Sequence, residues 1–223
     1  MNYDVSHIKD TYKQKGMRRS LVRKLVEKGI SNKKVLDAIG KVPRHVFFDE
    51  IFLEHAYQDK AFPIAEGQTI SQPYTVAFQT ELLNISEGHN VLEIGTGSGY
   101  QCCILLEVGA NVVTIEYKER LSLIAQKQLG ILGYNPTYII GDGSLGNDQY
   151  APYDAIIVTA GAPTVPQALI SQLKVGGKLV IPVGDDKVQK MLRITRVTDS
   201  KLSQEEFHNF SFVPLLGKQG WRK

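Results

Sequence analysis

Cysteine is nearly absent from these 223 residues: there are two, Cys102 and Cys103, side by side. Neighbouring cysteines in a helix point apart and cannot easily bridge each other, so a disulfide-stapled scaffold is excluded and the pair reads as small apolar side chains in a reducing compartment. Long hydrophobic runs are also missing. No stretch reaches the ~18 apolar residues that a membrane span requires, and the opening MNYDVSHIKD is polar. The expectation is a soluble, cytoplasmic protein with no membrane attachment. Charge of one sign is scarce too, with a net charge of +3 and one modest basic cluster, Lys9 to Lys28, patterned as the polar face of a helix. Nucleic acid is therefore not an expected partner. There is no internal repeat and no low-complexity segment.

What is present fits one globular domain: 43% of residues are hydrophobic and 22% charged, over a length that single α/β domains commonly reach. Apolar residues from Ile8 through Val26 fall near helical spacing, predicting a helix from about Val5 that Gly29 stops. A second helix, Lys33 to Ile39, follows the cap signal Ser31-Asn32. After an irregular stretch, Pro73 opens a helix to about Leu83. Strands are expected at Asn90 to Ile94, Asn111 to Glu116, Thr137 to Ile140, Ala155 to Thr159, Lys178 to Pro182, Met191 to Val197 and Glu206 to Val213. Alternation of strands with helical segments argues for a doubly wound, mainly parallel sheet. Thr198 to about Glu205 is too short for a helical crossover, which makes the last two strands an antiparallel hairpin at one edge.

The most informative segment is VLEIGTGSGY, Val91 to Tyr100, where an apolar run ends in an acid and three alternate glycines follow. Gly95, Gly97 and Gly99 allow a tight turn and close approach of backbone to a ligand, and the helix after them aims free amides at the same place. A nicotinamide fingerprint G-x-G-x-x-G fails in both registers, because the sixth residue is Tyr100 or Cys102. What remains is Glu93 two residues before the first glycine, the form associated with S-adenosylmethionine (AdoMet) methyltransferases. Glu116 closes the second strand at about the interval where an acid of this fold accepts from ribose hydroxyls. Asp142, between Gly141 and Gly143, closes the third strand and could accept from an adenine amino group. A plain Asp-Gly turn is the alternative there. Upstream lies GQTISQPY, in which Ser71 either caps the helix that Pro73 opens or serves a site.

The segments VPRHVF, GQTISQPY, LEIGTGSGYQ, GDG, APYDAIIVTAGAP, GGKLVIPVG and FVPL, in that order from Val42 to Leu215, resemble the protein-L-isoaspartate O-methyltransferase family. The resemblance implies a Rossmann-like methyltransferase fold with an N-terminal helical extension and an antiparallel edge hairpin. It implies one domain over 1–223, with residues 1–84 helical and substrate-side and 85–223 the AdoMet-binding core. It further implies methylation of the α-carboxyl group of L-isoaspartyl residues as a repair reaction, with S-adenosylhomocysteine as product and isoaspartyl proteins as partners. Carried over by position, cofactor binding falls on Glu93, Gly95, Thr96, Gly97, Ser98, Gly99, Glu116, Asp142 and Gly143. Ser71 takes the active-site position, and Thr69, Ile70, Val213, Pro214 and Leu215 face the substrate. No metal is implied, and a monomer is the default. An AdoMet enzyme for a small molecule or RNA, and a binding protein without catalysis, are the alternatives.

Three departures stand out. Ser144 and Asn147 replace usual aromatics, so the adenine-side wall is expected to be more open. Gly161 replaces a usual alanine. The tail GKQGWRK is unfamiliar, and is not expected to touch the residues assigned to chemistry. The chemistry is consistent with few ionisable groups: a carboxylate with an ordinary pKa near 4 is already ionised at neutral pH and needs no general base. His45, His55 and His89 are accordingly read as structural.

Overall fold

Two helices lead the described chain, residues 9–221 of a computed structural model: α1, Tyr12–Glu27, and α2, Lys33–Lys41. The expected start of the first helix at Val5 lies outside the described residues. Gly29, at φ +94°, follows the end of α1 as anticipated. Asn32 caps α2, its side chain accepting from the amides of Lys34 at 3.0 Å and Val35 at 3.3 Å. The amides of Ser31 and Asn32 both donate to Glu81, which ties the helical front end to the helix α3, Pro73–Leu83. Between them lie short 3-10 turns and a two-stranded ribbon of β1, Phe62–Pro63, and β2, Thr69–Ile70.

The sheet is built from β3, Asn90–Ile94; β4, Asn111–Glu116; β5, Thr137–Ile140; β6, Tyr153–Val158; β7, Leu173–Gly184; β8, Gln189–Arg196; and β9, Leu202–Phe210. Helices α4, Tyr100–Glu107, α5, Glu119–Ile131, and α6, Gln167–Ser171, connect the parallel strands. Strand order is β5-β4-β3-β6-β7-β8-β9, parallel from β5 to β7 and antiparallel beyond. Side chains alternate between two cores. Val91, Ala155, Ile157 and Val180 face a cluster that includes Leu21, Ile39, Ala77 and Ile104, while Leu92, Ile94, Ile156 and Val158 face a second cluster with Leu169. Each such side chain taken fully from water is worth about 1.5–3 kcal/mol, and burying both faces is why these strands are Val- and Ile-rich. No helix among the described residues is long and apolar enough to cross a membrane.

Four expected strands differ at their ends, the sixth running Gln189–Arg196 in place of Met191 to Val197. The fourth runs Tyr153–Val158 and leaves out Thr159, and the fifth extends to Leu173–Gly184. The last stops at Phe210 and not at Val213, because ladder pairing ends at Gln189 with Phe210. Beyond it the buried Gln189 side chain takes the Phe212 amide at 2.8 Å, and Gly161 is stitched to Val213 and Leu215 at 2.8 Å each. This detour brings the FVPL segment across to the end of β6. An added Cβ on Gly161 would lie 2.8 Å from Gln189 Cδ, so glycine at this position suits the crossing.

Candidate active site

The chain reverses between β3 and its two neighbours, β4 on one side and β6 on the other, which opens a crevice at the carboxyl ends of the strands. The Gly-rich turn fills one lip of it. Gly95 has φ +96°, and a Cβ there would come within 2.5 Å of Thr159 Oγ1. That hydroxyl donates toward the carbonyls of Ile94 and Gly95 at 3.0 and 2.7 Å, fixing the turn from beneath. Gly99, at φ +88°, is the N-cap of α4, where a Cβ would sit 2.2 Å from Leu129 Cδ1. Gly97 donates its amide to Glu116 Oε2 at 2.8 Å, while Glu116 Oε1 accepts from Lys118 N at 2.9 Å. Each carboxylate oxygen keeps a lone pair for a further donor. The amides of Thr96 and Ser98 have no acceptor among the described residues.

Glu93 stands behind the turn and does not line the crevice. It is fully buried on the α4 side, where Thr114 donates to its Oε2 at 2.6 Å and Thr114 in turn meets Thr96 at 2.6 Å. Burial pushes its carboxyl up to about 8, against the help of that hydrogen bond. It acts on the turn through the two threonines.

Two clefts share a wall. The first is bounded by Gly95 to Ser98, Glu116 to Lys118, Gly143, Thr159, Val213 to Leu216 and Gln68 to Ser71. The second is an open groove bounded by Ser71, Gln72, Tyr74 and Thr75 on one side and His208 to Phe212 on the other. Thr69 and Ser71 border both. Ser71 does not cap α3: the N-cap falls on Gln72. Its hydroxyl has no hydrogen-bond partner among the described residues and is free for a ligand. Val213, Pro214 and Leu215 border the first cleft, and their neighbours at 208–212 border the groove.

Asp142 departs from expectation in its surroundings. Its Oδ1 accepts from the amide and hydroxyl of Ser144 at 3.0 and 2.6 Å, and its Oδ2 from the amide of Lys218 at 2.7 Å. Gln219 donates its amide to Ser144 Oγ at 3.0 Å. The tail therefore does reach a residue assigned to the cofactor, and its backbone covers the buried Ser144, although Asp142, Ser144 and residues 217–221 lie outside the lining of the first cleft. An aromatic ring at that position has no acceptor for the Gln219 amide. Trp221 anchors the tail further, with Nε1 donating to Gly161 O at 3.0 Å.

Sequence reasoning missed Gln68, Val76, Tyr117, Lys118, Thr159 and Leu216 on the first cleft. Most flank recognised motifs directly, and adjacency to those motifs was the available signal. Lys118 is the only lysine or arginine bordering that cleft among the described residues, and it lies 3.9 Å from Glu66.

A cleft at the switch point of a doubly wound sheet, with a strand-end acid beside a Gly-rich turn and free amides on that turn, defines an AdoMet-dependent methyltransferase. Within that class the protein-L-isoaspartate(D-aspartate) O-methyltransferase family model matches residues 16–220. A protein-L-isoaspartate O-methyltransferase of Cytophaga hutchinsonii is 61% identical over 96% of this chain and 97% of its own length. One from Dictyoglomus thermophilum is 47% identical over 96% of this chain and 97% of its own. A solved protein-L-isoaspartate O-methyltransferase superposes with a TM-score of 0.83 at 30% identity, covering 91% of this chain and 67% of that one. A Plasmodium falciparum structure described as a putative member, in complex with S-adenosyl-L-homocysteine, superposes with a TM-score of 0.77 at 26% identity, covering 89% and 98%. The chain belongs to the protein-L-isoaspartate O-methyltransferase family.

Proposed function

We propose that this chain transfers the methyl group of AdoMet to the α-carboxyl group of L-isoaspartyl residues in damaged proteins, with Ser71 orienting the carboxylate. The observation that carries this reading is the position of Ser71 on both clefts, one lined by the Gly-rich turn and Glu116 and the other open to an extended peptide. Methyl transfer to an isoaspartyl peptide and its aspartyl twin tests it.

The residues of the first cleft suit AdoMet. Glu116 would accept from the ribose hydroxyls, the turn from Gly95 to Ser98 would pass beneath the methionine portion, and Gly143 would face the adenine, with Asp142 next to it but outside the lining. When bound, AdoMet supplies a methyl group on a positively charged sulfur. The task left to the protein is positioning, since in-line transfer needs the reacting atoms ~3–3.5 Å apart and aligned.

Ser71 is suited to that task because its hydroxyl is a neutral donor. Donating to one carboxylate oxygen leaves the other free to face the methyl group. Charge is lost as the reaction proceeds, so a fixed cation beside the carboxylate would stabilise the ground state more than the transition state. Lys118 does not fill that role, since it lies close to the Glu66 carboxylate. The peptide would run along the groove between Tyr74 and the segment His208 to Phe212, with Thr69, Ile70 and the FVPL segment closing its inner end. The backbone amide nitrogen then attacks the methyl ester carbonyl in solution, expelling methanol and closing a succinimide without a further protein group. The acting unit in this reading is a single-domain cytoplasmic monomer, in which the buried thiols of Cys102 and Cys103 stay reduced; sedimentation at working concentration checks the monomer.

A further inference from the structure

Ser71 stands where the clefts meet, yet its own segment does not fix it there. Gln72 at the N-cap of α3 makes no side-chain cap, and Pro73 follows with no amide to offer. The first amide of the helix, on Tyr74, donates to Asp59 Oδ1 at 2.8 Å, from fifteen positions away. Gln72 reaches to the same residue, its Nε2 donating to the Asp59 carbonyl at 3.1 Å. One aspartate thus holds both sides of the turn that follows Ser71.

Asp59 is itself pinned from two directions. Its Oδ2 lies 2.5 Å from Lys28 Nζ, and that ammonium also lies 5.3 Å from the Tyr74 ring centre. The loop that carries it hangs on Arg44, a fully buried guanidinium whose Nε donates to Ala56 O at 2.9 Å and whose Nη2 donates to Lys60 O at 3.4 Å. An acid at a helix N-terminus is also favoured by the helix dipole. Asp59 borders neither cleft.

Resting on the reading of Ser71 given above, we propose that Asp59 is a positioning residue for methyl transfer: its carboxylate caps α3 from a separate loop and so fixes where the Ser71 hydroxyl stands. The effect on rate comes through placement, because a misplacement of about 1 Å in a reacting constellation costs on the order of 100-fold. A lost cap alone costs stability and leaves turnover per folded molecule unchanged.

The test compares wild type, Asp59→Ala, Asp59→Asn, Ser71→Ala and the double variant Asp59→Ala/Ser71→Ala, each measured for kcat on an isoaspartyl peptide, S-adenosylhomocysteine affinity and Tm. Asp59→Ala lowers kcat about tenfold or more and leaves S-adenosylhomocysteine affinity within about twofold. Asp59→Asn keeps an acceptor for the Tyr74 amide and recovers most of that kcat, although it loses the ion pair with Lys28. In the Ser71→Ala background the Asp59 substitution slows turnover no further, since the two residues act as one unit. Wild-type kcat in Asp59→Ala beside a slow Ser71→Ala overturns the role of Asp59 alone. Equal losses in Asp59→Ala and Asp59→Asn, or a further full loss in the double variant, also overturn it. Wild-type kcat in Ser71→Ala overturns the reading of Ser71 and this route with it.

Discussion

The amide of Lys218 donates to Asp142 Oδ2 at 2.7 Å, fastening the C-terminal tail to the acid that precedes Gly143 of the first cleft. With Ser144 on the other oxygen, the carboxylate has one orientation before any ligand arrives. Preorganisation of this kind lowers the cost of binding.

Removing the tail after Leu216 should therefore weaken S-adenosylhomocysteine binding by about tenfold, the worth of one charge-assisted hydrogen bond. Calorimetric titration measures it, and unchanged affinity would contradict the role given to the tail. The protein's single tryptophan, Trp221, gives a second readout in the full-length chain. Its emission should change on titration with the same ligand.

Glu93 makes stability depend on pH in a defined direction. Its carboxyl is held up to about 8 in the folded protein, against 4.5 for an ordinary glutamate. Between those values the folded state binds more protons than the unfolded state, so stability falls as pH rises across that window, and the loss is complete above about 8. Glu93→Gln removes the titrating group. Its Tm should drop less than that of wild type between about pH 5 and about pH 9, by on the order of 10 °C. Parallel Tm curves for the two proteins would show that Glu93 is ionised throughout.

The glycines of the turn should separate into two classes. A Cβ on Gly99 would strike Leu129 at 2.2 Å, whereas one on Gly97 meets nothing closer than 4.0 Å. Gly99→Ala should lose about 2 kcal/mol or more of stability through overpacking and a positive φ. Gly97→Ala should retain more of the fold and lose chiefly S-adenosylhomocysteine affinity. Denaturant titration and ligand titration of both variants read the split, and the reverse pattern would place the ligand elsewhere.

Much of this architecture can be read from sequence, for reasons that differ by element. The strands β3, β4 and β5 begin and end at the expected residues because each is a short Val- or Ile-rich run bracketed by turn formers, and Pro73 and Leu83 bound α3 as expected. Strand ends in the antiparallel edge are harder, since extended backbone continues past Phe210 after ladder pairing has stopped. Glu93 was misplaced within the site because both faces of a parallel strand are buried, so alternation does not tell which face meets a ligand. Asp59, Thr159 and the tail act across long separations in the chain. Their partners are set by topology, and no local pattern in the sequence carries that information.

Ser71→Ala should lower kcat by about 100-fold, comparable to loss of one preorganised donor, and change S-adenosylhomocysteine affinity less than about twofold. In the proposed arrangement the hydroxyl would meet the reacting carboxylate and not the bound nucleoside. Steady-state kinetics beside ligand titration decide it, and a loss confined to affinity would move Ser71 out of the chemistry.

The most direct measurement incubates the protein with methyl-labelled AdoMet and two synthetic peptides that differ only in one aspartyl or isoaspartyl residue, then tests whether incorporated label is lost in mild base. The account predicts base-labile label in the isoaspartyl peptide alone, as expected for a carboxyl methyl ester. Equal labelling of both peptides, or none in either while AdoMet still binds, would contradict it.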